Sequence, residues 1–253
     1  MAAHLPASDE DQERPLISNR FVLRLTIAIA IIACLTVAIG IGGQWFGGRI
    51  ALAGHTESTA PLSIEIGQDR LAIPANTIRF PEQRRDGQTE RLDIYLTWPE
   101  MQGYSRAERL RFDDVTQPSS LIFLQMSEGT MSRDMSGRLS PIYARLFEGQ
   151  PEQGPSGLTL HRLRKDSGYG SEVVLTGPEK GADTYVVRCL LPAAGEAATS
   201  SDCQRDVLAG DNLSVLYRFS SSQLKDWQRI DIEVHAFVRN HLADTTQIPA
   251  KGR

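Results

Sequence analysis

Residues 25–43 hold only Ile, Leu, Val, Ala and Gly apart from Thr26, Thr36 and Cys34, and no charge interrupts them. At about 1.5 Å rise per residue, a helix of this length approaches the roughly 30 Å of a hydrocarbon core. Its nine Ile, Leu and Val side chains together favour insertion by about 3–5 kcal/mol, so the pattern predicts a transmembrane helix over 25–43. Beyond it the period changes to two. Leu62-Ser63-Ile64-Glu65-Ile66 alternates, Gly67-Gln68-Asp69 supplies a turn, and Leu71-Ala72-Ile73-Pro74 completes a hairpin signal. Residues 91–98 alternate for a full strand and stop at Pro99, which cannot donate to a ladder. Residues 120–126 read as another strand, and the charged stretch 101–114 between them reads as a surface excursion.

Ser140 followed by Pro141 predicts a short helix over 140–147, ended by Gly149 and Pro151. A meander follows over 157–165, 171–176 and 184–191, and a hairpin pairs 203–208 with 213–219 around Ala209-Gly210-Asp211-Asn212. Residues 228–240 fit two periods. Ile230, Ile232, Val234, Ala236 and Val238 alternate like a strand, whereas Leu224, Trp227, Ile230, Val234, Phe237 and His241 recur at helical spacing. The helical period runs longer and Ser220-Ser221-Ser222 supply an N-cap, which favours a closing helix. The fold class expected is therefore α+β: one N-terminal transmembrane helix, then an antiparallel β-sheet domain of meander and hairpins with a C-terminal packing helix.

Charge sets the expected orientation. Arg14, Arg20 and Arg24 precede the apolar run and Arg49 alone follows it closely, and basic flanks stay in the cytoplasm. The organisation expected is a cytoplasmic tail (1–24), the span (25–43), a linker (44–61), a periplasmic α+β domain (62–242) and a flexible tail (243–253). Trp45 and Phe46 fall at the headgroup layer. Ala51-Leu52-Ala53 fits a small-x-small cleavage site, but the apolar run exceeds a signal peptide's and the site lies well beyond its end. Ile31-Ile32-Ala33-Cys34 resembles a lipoprotein box, yet apolar residues continue after Cys34. Small residues at Gly43 and Gly47, and at Ala30, Cys34 and Ala38, suit close helix approach and a homo-oligomer in the bilayer.

The chain carries 27 Lys plus Arg against 31 Asp plus Glu, a net charge of −4, without a basic cluster interleaved with aromatics. That excludes a nucleic-acid partner. The densest basic spots, Arg84-Arg85 and Arg162-Arg164-Lys165, read as strand-edge charges facing water. Cys189 and Cys203 are the two cysteines outside the span, and an even pair in an oxidising compartment reads as a disulfide. Closing a loop of about 15 residues stabilises by roughly 3 kcal/mol in the chain-entropy model. His235 and His241 make no zinc pattern with these thiols.

Candidate chemistry is sparse. Ser222-Gln223-Leu224-Lys225 matches the Ser-x-x-Lys nucleophile motif of penicillin-binding enzymes, but its companion segments are absent, and an exposed helix cap explains it. His4 and His55 fall in segments read as flexible, and His161 alternates with Leu160 and Leu163 on a strand. Asp113-Asp114 reads as a solvated loop rather than a cation site, and Gly168-Tyr169-Gly170 as a turn. No catalytic residue, cofactor or metal is expected. Two function classes compete: a non-enzymatic module contacting an envelope protein or polymer, and a tethered hydrolase whose catalytic groups converge from distant positions, centred on His161 or His235.

The succession Ile73-Pro74-Ala75-Asn76, Trp98-Pro99, Gly154-Pro155-x-Gly157-Leu158, Val187-Arg188-Cys189 and Leu224-x-Asp226-Trp227 resembles uncharacterised single-span envelope proteins of proteobacteria. The resemblance implies an inner-membrane anchor with a periplasmic domain and brings no activity.

Overall fold

The computed structural model describes residues 19–51, 54–178, 184–193 and 195–243, with backbone alone for 40–51. Two compact units, Met1–Ala53 and Gly54–Arg253, divide the chain. The first contains helix α1 (Asn19–Ala51). Its segment Arg20–Ile39 has a mean hydropathy of 2.6 and no buried residue, so it is long and apolar enough to cross a membrane. The hydroxyls of Thr26 and Thr36 donate to the carbonyls of Val22 and Ile32 at 2.9 and 2.8 Å, which makes both residues compatible with an apolar surround. The helix continues through 44–51, where a linker was expected. Gln44, Trp45, Phe46, Arg49 and Ile50 are ordinary helix residues, and Gly47 and Gly48 weaken the helix by about 1 kcal/mol each without breaking it. The side chains of Trp45 and Phe46, the surroundings of Gly43 and Gly47, the cleavage point after Ala53 and the tails 1–18 and 244–253 lie outside the described residues.

The second unit is α+β. Eleven strands are described: β1 (Pro61–Ile66), β2 (Asp69–Pro74), β3 (Gly87–Gln88), β4 (Arg91–Thr97), β5 (Leu121–Glu128), β6 (Phe147–Gln153), β7 (Thr159–Leu163), β8 (Val173–Thr176), β9 (Val186–Cys189), β10 (Cys203–Ala209) and β11 (Leu213–Phe219). Helices α2 (Arg109–Asp113) and α3 (Trp227–His241) complete it. The large sheet is antiparallel in the order β4-β5-β11-β10-β9-β8-β7-β6, and a small sheet runs β2-β1-β3. The small sheet and α3 cover one face. Alternate residues such as Leu92, Ile94, Ile122, Leu124, Val215 and Tyr217 point into a core shared with Ile64, Leu71, Ile230 and Val234. That inward stripe on α3 also settles residues 228–240 as helix, since Ile232, which a strand would bury beside Ile230, is 65% exposed. Ser220 caps the preceding 3₁₀ turn, reciprocated by Gln223 in a capping box.

The opposite face has a second, smaller core in which residues 131–147 bring Met135 and Tyr143 against Leu163, Val174 and Val186. Strand β8 is thus buried on both sides, which accounts for its unbroken Val-Val-Leu-Thr. The short helix expected over 140–147 is replaced by a 3₁₀ turn, Tyr143–Leu146, and the start of β6. Packing overrides the Ser-Pro start signal here: Tyr143 is 3% exposed, and Arg164 N–H donates to the Leu146 carbonyl at 2.9 Å. Residues 101–114 also differ from a plain surface excursion, because Tyr104 is 1% exposed and α2 lies within them.

Two contacts lock the hairpins together. The Asp69 carboxylate accepts from the backbone N–H groups of Asp211 and Asn212 at 2.8 and 3.0 Å. Gly210, at φ +57°, leaves the room for it, since a Cβ there would lie 2.0 Å from Asp69 Oδ1. Cys189 and Cys203 face each other across β9 and β10 and form a disulfide with Cα atoms 4.1 Å apart. Gln204 and Arg188 pair next, and beyond them the two strands part. Arg205 fills the opening, donating to the Val186 carbonyl at 2.9 Å, Ser136 Oγ at 2.8 Å and Asp231 of α3 at 3.1 Å.

Candidate functional site

The β4–β5–β11 end of the second face is the less covered one: Phe123, Gln125, Leu216 and Arg218 are half-buried there, whereas Tyr95 and Asp93 are buried. In register across it run Tyr95, Phe123 and Arg218, then Asp93, Gln125 and Leu216, because residues two apart on a strand share a face. Residues 131–147 flank one side through the pairing of Arg138 with Asp206 on β10. On the other side an aromatic knot covers Tyr95. Between them lie two adjoining recesses of about 190 and 180 Å³ that share Arg79, Phe123 and Ser200.

The knot is built around His55. Its ring stacks on Tyr104 with centroids 4.3 Å apart and meets Tyr95 and Phe112 edge-on. His55 Nδ1 lies 3.0 Å from the Tyr95 hydroxyl and Nε2 3.2 Å from Asp113 Oδ1. Burial pushes the Tyr95 phenol up to about 12, and the phenol shares a hydrogen bond with Nδ1. Nε2–H donates to Asp113, whose carboxyl is held below the usual range first by Arg109. His55 is therefore a packed residue rather than part of a flexible segment. The sequence shows no sign of this, because the partners come from residues 95, 104 and 112.

Arginines dominate the floor and rim. Arg91 is bound by Asp93 at 2.6 and 2.8 Å, and Arg111 pairs with Glu100 and Glu108. Arg79 lies over the rings of Phe80 and Phe123, 5.1 and 5.2 Å from their centroids. Among the described residues neither Arg79 nor Arg218 has a carboxylate within 4.0 Å. Ser200 reaches the rim from the loop that the Cys189–Cys203 bridge closes. That loop is held further by Asp202, which accepts from the Ser221 hydroxyl at 2.6 Å.

The residues singled out in the sequence do not converge here. Ser222 sits at the cap beside Ser220, with hydroxyls 2.9 Å apart. His161 Nε2 lies 3.1 Å from Thr176 Oγ1 and its ring stacks on Phe147, while His235 lies 3.9 Å from Asp231. Asp113 binds Arg109 and His55, and Asp114 binds Thr116 and Gln117, so both carboxylates are already occupied. Tyr169 of the Gly-Tyr-Gly turn lies under Arg188 at 4.6 Å. Arg84 departs from the expectation of a water-facing charge: its guanidinium donates to the carbonyls of Gly54, Ile78 and Arg79. Arg162 and Arg164 do form exposed pairs, with Glu152 and Asp166.

No family model matches the chain, and no curated protein matches it in sequence. Among solved structures it is similar to Smlt3025, an immunity protein of the Stenotrophomonas maltophilia type IV secretion system. The identity is 18% and the TM-score 0.51, over 75% of this chain and 96% of that one. What the two share is the fold. The chain is also similar to FrpD, the iron-regulated outer membrane lipoprotein of Neisseria meningitidis, at 13% identity and a TM-score of 0.42, over 74% and 96%.

Proposed function

We propose that this chain is a single-pass, inner-membrane-anchored protein whose second unit is a non-enzymatic, periplasmic protein-binding module. Residues 1–24 form its cytoplasmic tail and 25–43 its span in the bilayer. The observation that carries the reading is the less covered β4–β5–β11 face. Among the described residues the small sheet and α3 pack on one face of the large sheet and residues 131–147 on part of the other, whereas this part presents the half-buried Phe123, Gln125, Leu216 and Arg218 around open recesses. Faces that mix aromatics with arginine suit protein partners. The Cys189–Cys203 bridge suits an oxidising compartment. Smlt3025, with which the chain shares a fold, is an immunity protein of a secretion system, and an envelope-associated interaction role is consistent with that likeness.

The tethered hydrolase has less support. Ser120, on the wall of the recess next to His55, donates its hydroxyl to the carbonyls of Arg111 and Gln117 at 2.9 and 2.7 Å. It makes no nucleophile–base pair with His55.

The test is a pull-down after in-cell crosslinking. The full chain should capture a partner that a double variant, Phe123→Ser with Leu216→Ser, does not. Capture by residues 1–53 alone, or equal capture by the variant, would contradict the reading.

A further inference from the structure

The recess on the less covered face has a charge imbalance that the fold does not use. Arg79, Arg91 and Arg218 line it with one carboxylate, Asp93, and Arg91 occupies that carboxylate with two hydrogen bonds. Arg79, exposed, and Arg218, half-buried, thus line the recess without a carboxylate partner among the described residues, in a molecule of net charge −4. Both border Phe123: Arg79 lies over its ring, and Arg218 sits directly opposite it in the β11–β5 register. Leu216, Gln125, Ser200 and Ser201 also line it.

Resting on the reading of this face as the partner-binding surface, we propose that its occupant is an extended acidic segment of a protein, with carboxylates on Arg79 and Arg218 and an apolar side chain on Phe123 and Leu216. The chemistry selects a peptide over a phosphate. The guanidinium groups are planar forks that match carboxylates and phosphates alike, but they belong to separate elements beside an apolar floor, which an inorganic phosphate leaves unused and a segment carrying apolar side chains covers. An extended chain places side chains about every 3.3 Å on alternate sides, which lets acidic and apolar groups meet this mixed lining along one strand-like run.

The experiment titrates the full chain in detergent micelles with a fluorescent ten-residue peptide of alternating Glu and Leu. Its Lys-for-Glu counterpart and inorganic phosphate serve as competitors. The acidic peptide should bind saturably, weaken with added salt, and lose at least about tenfold in affinity in the Arg79→Gln, Arg218→Gln double variant. Arg85→Gln, outside this recess, should bind as the parent does, and matching melting temperatures should show that each variant is folded. No saturable binding, equal binding of the Lys peptide, or an unchanged affinity in the double variant would overturn the proposal, as would displacement by phosphate at millimolar concentration. Because the Phe123→Ser, Leu216→Ser pull-down reads the face without assuming its charge preference, a positive pull-down with no acidic-peptide binding would overturn the occupant alone.

Discussion

His161 shows how one residue's surroundings give a testable pH dependence. Its ring is wedged between Phe147 and Thr176 on β6–β8, and loss of water around it lowers its pKa from the usual value. The unfolded chain therefore takes up this proton first as pH falls, so the domain loses stability below about pH 6.5, where an ordinary histidine titrates. His161→Gln, which keeps a partner for Thr176, should reduce the drop in melting temperature between pH 7.5 and 5.5. An unchanged drop would show that His161 makes no such contribution. The alternation with Leu160 and Leu163 reveals the strand that holds His161, but not Phe147, which comes from an edge strand that the polar stretch 147–153 hides. His55 was still less legible. Its neighbours in sequence are small and polar, and its stack is assembled entirely by contacts 40 or more residues away.

At the scale of elements, legibility followed period and turn chemistry. The β1–β2 and β10–β11 hairpins alternate cleanly around glycine-bearing turns, and α3 repeats its apolar stripe for four turns behind a capping box. Where elements are short or polar, the sequence misleads. Residues 140–147 carry a helix start signal, yet Tyr143 has a better place in the second core. β3 is two residues long and has no pattern to read. The disulfide clamps β9 to β10 one residue pair before they part. Replacing both Cys189 and Cys203 with Ala should lower unfolding stability by about 3 kcal/mol, read from denaturant midpoints. The loop carrying Ser200 should become more susceptible to protease. A loss well under 1 kcal/mol with an equally resistant loop would mean that Asp202 and the ladder hold this corner unaided.

For the whole molecule, an apolar helix was legible from residues 25–43 because an uninterrupted apolar run long enough to cross a bilayer is written locally. The candidate site was not legible, because a sheet face becomes a site only when strands from residues 91–97, 121–128 and 213–219 are laid side by side and left less covered. Arg79, Phe123 and Arg218 are unremarkable in sequence and meet only through that register. Site-specific photo-crosslinking in living cells shows whether the β4–β5–β11 face meets a partner. A photo-reactive residue at Gln125, in the middle of the face, should form a discrete crosslinked product with another protein. The same residue at Ile232, on the solvent side of α3, should not. A product from Ile232 with none from Gln125 would contradict the account.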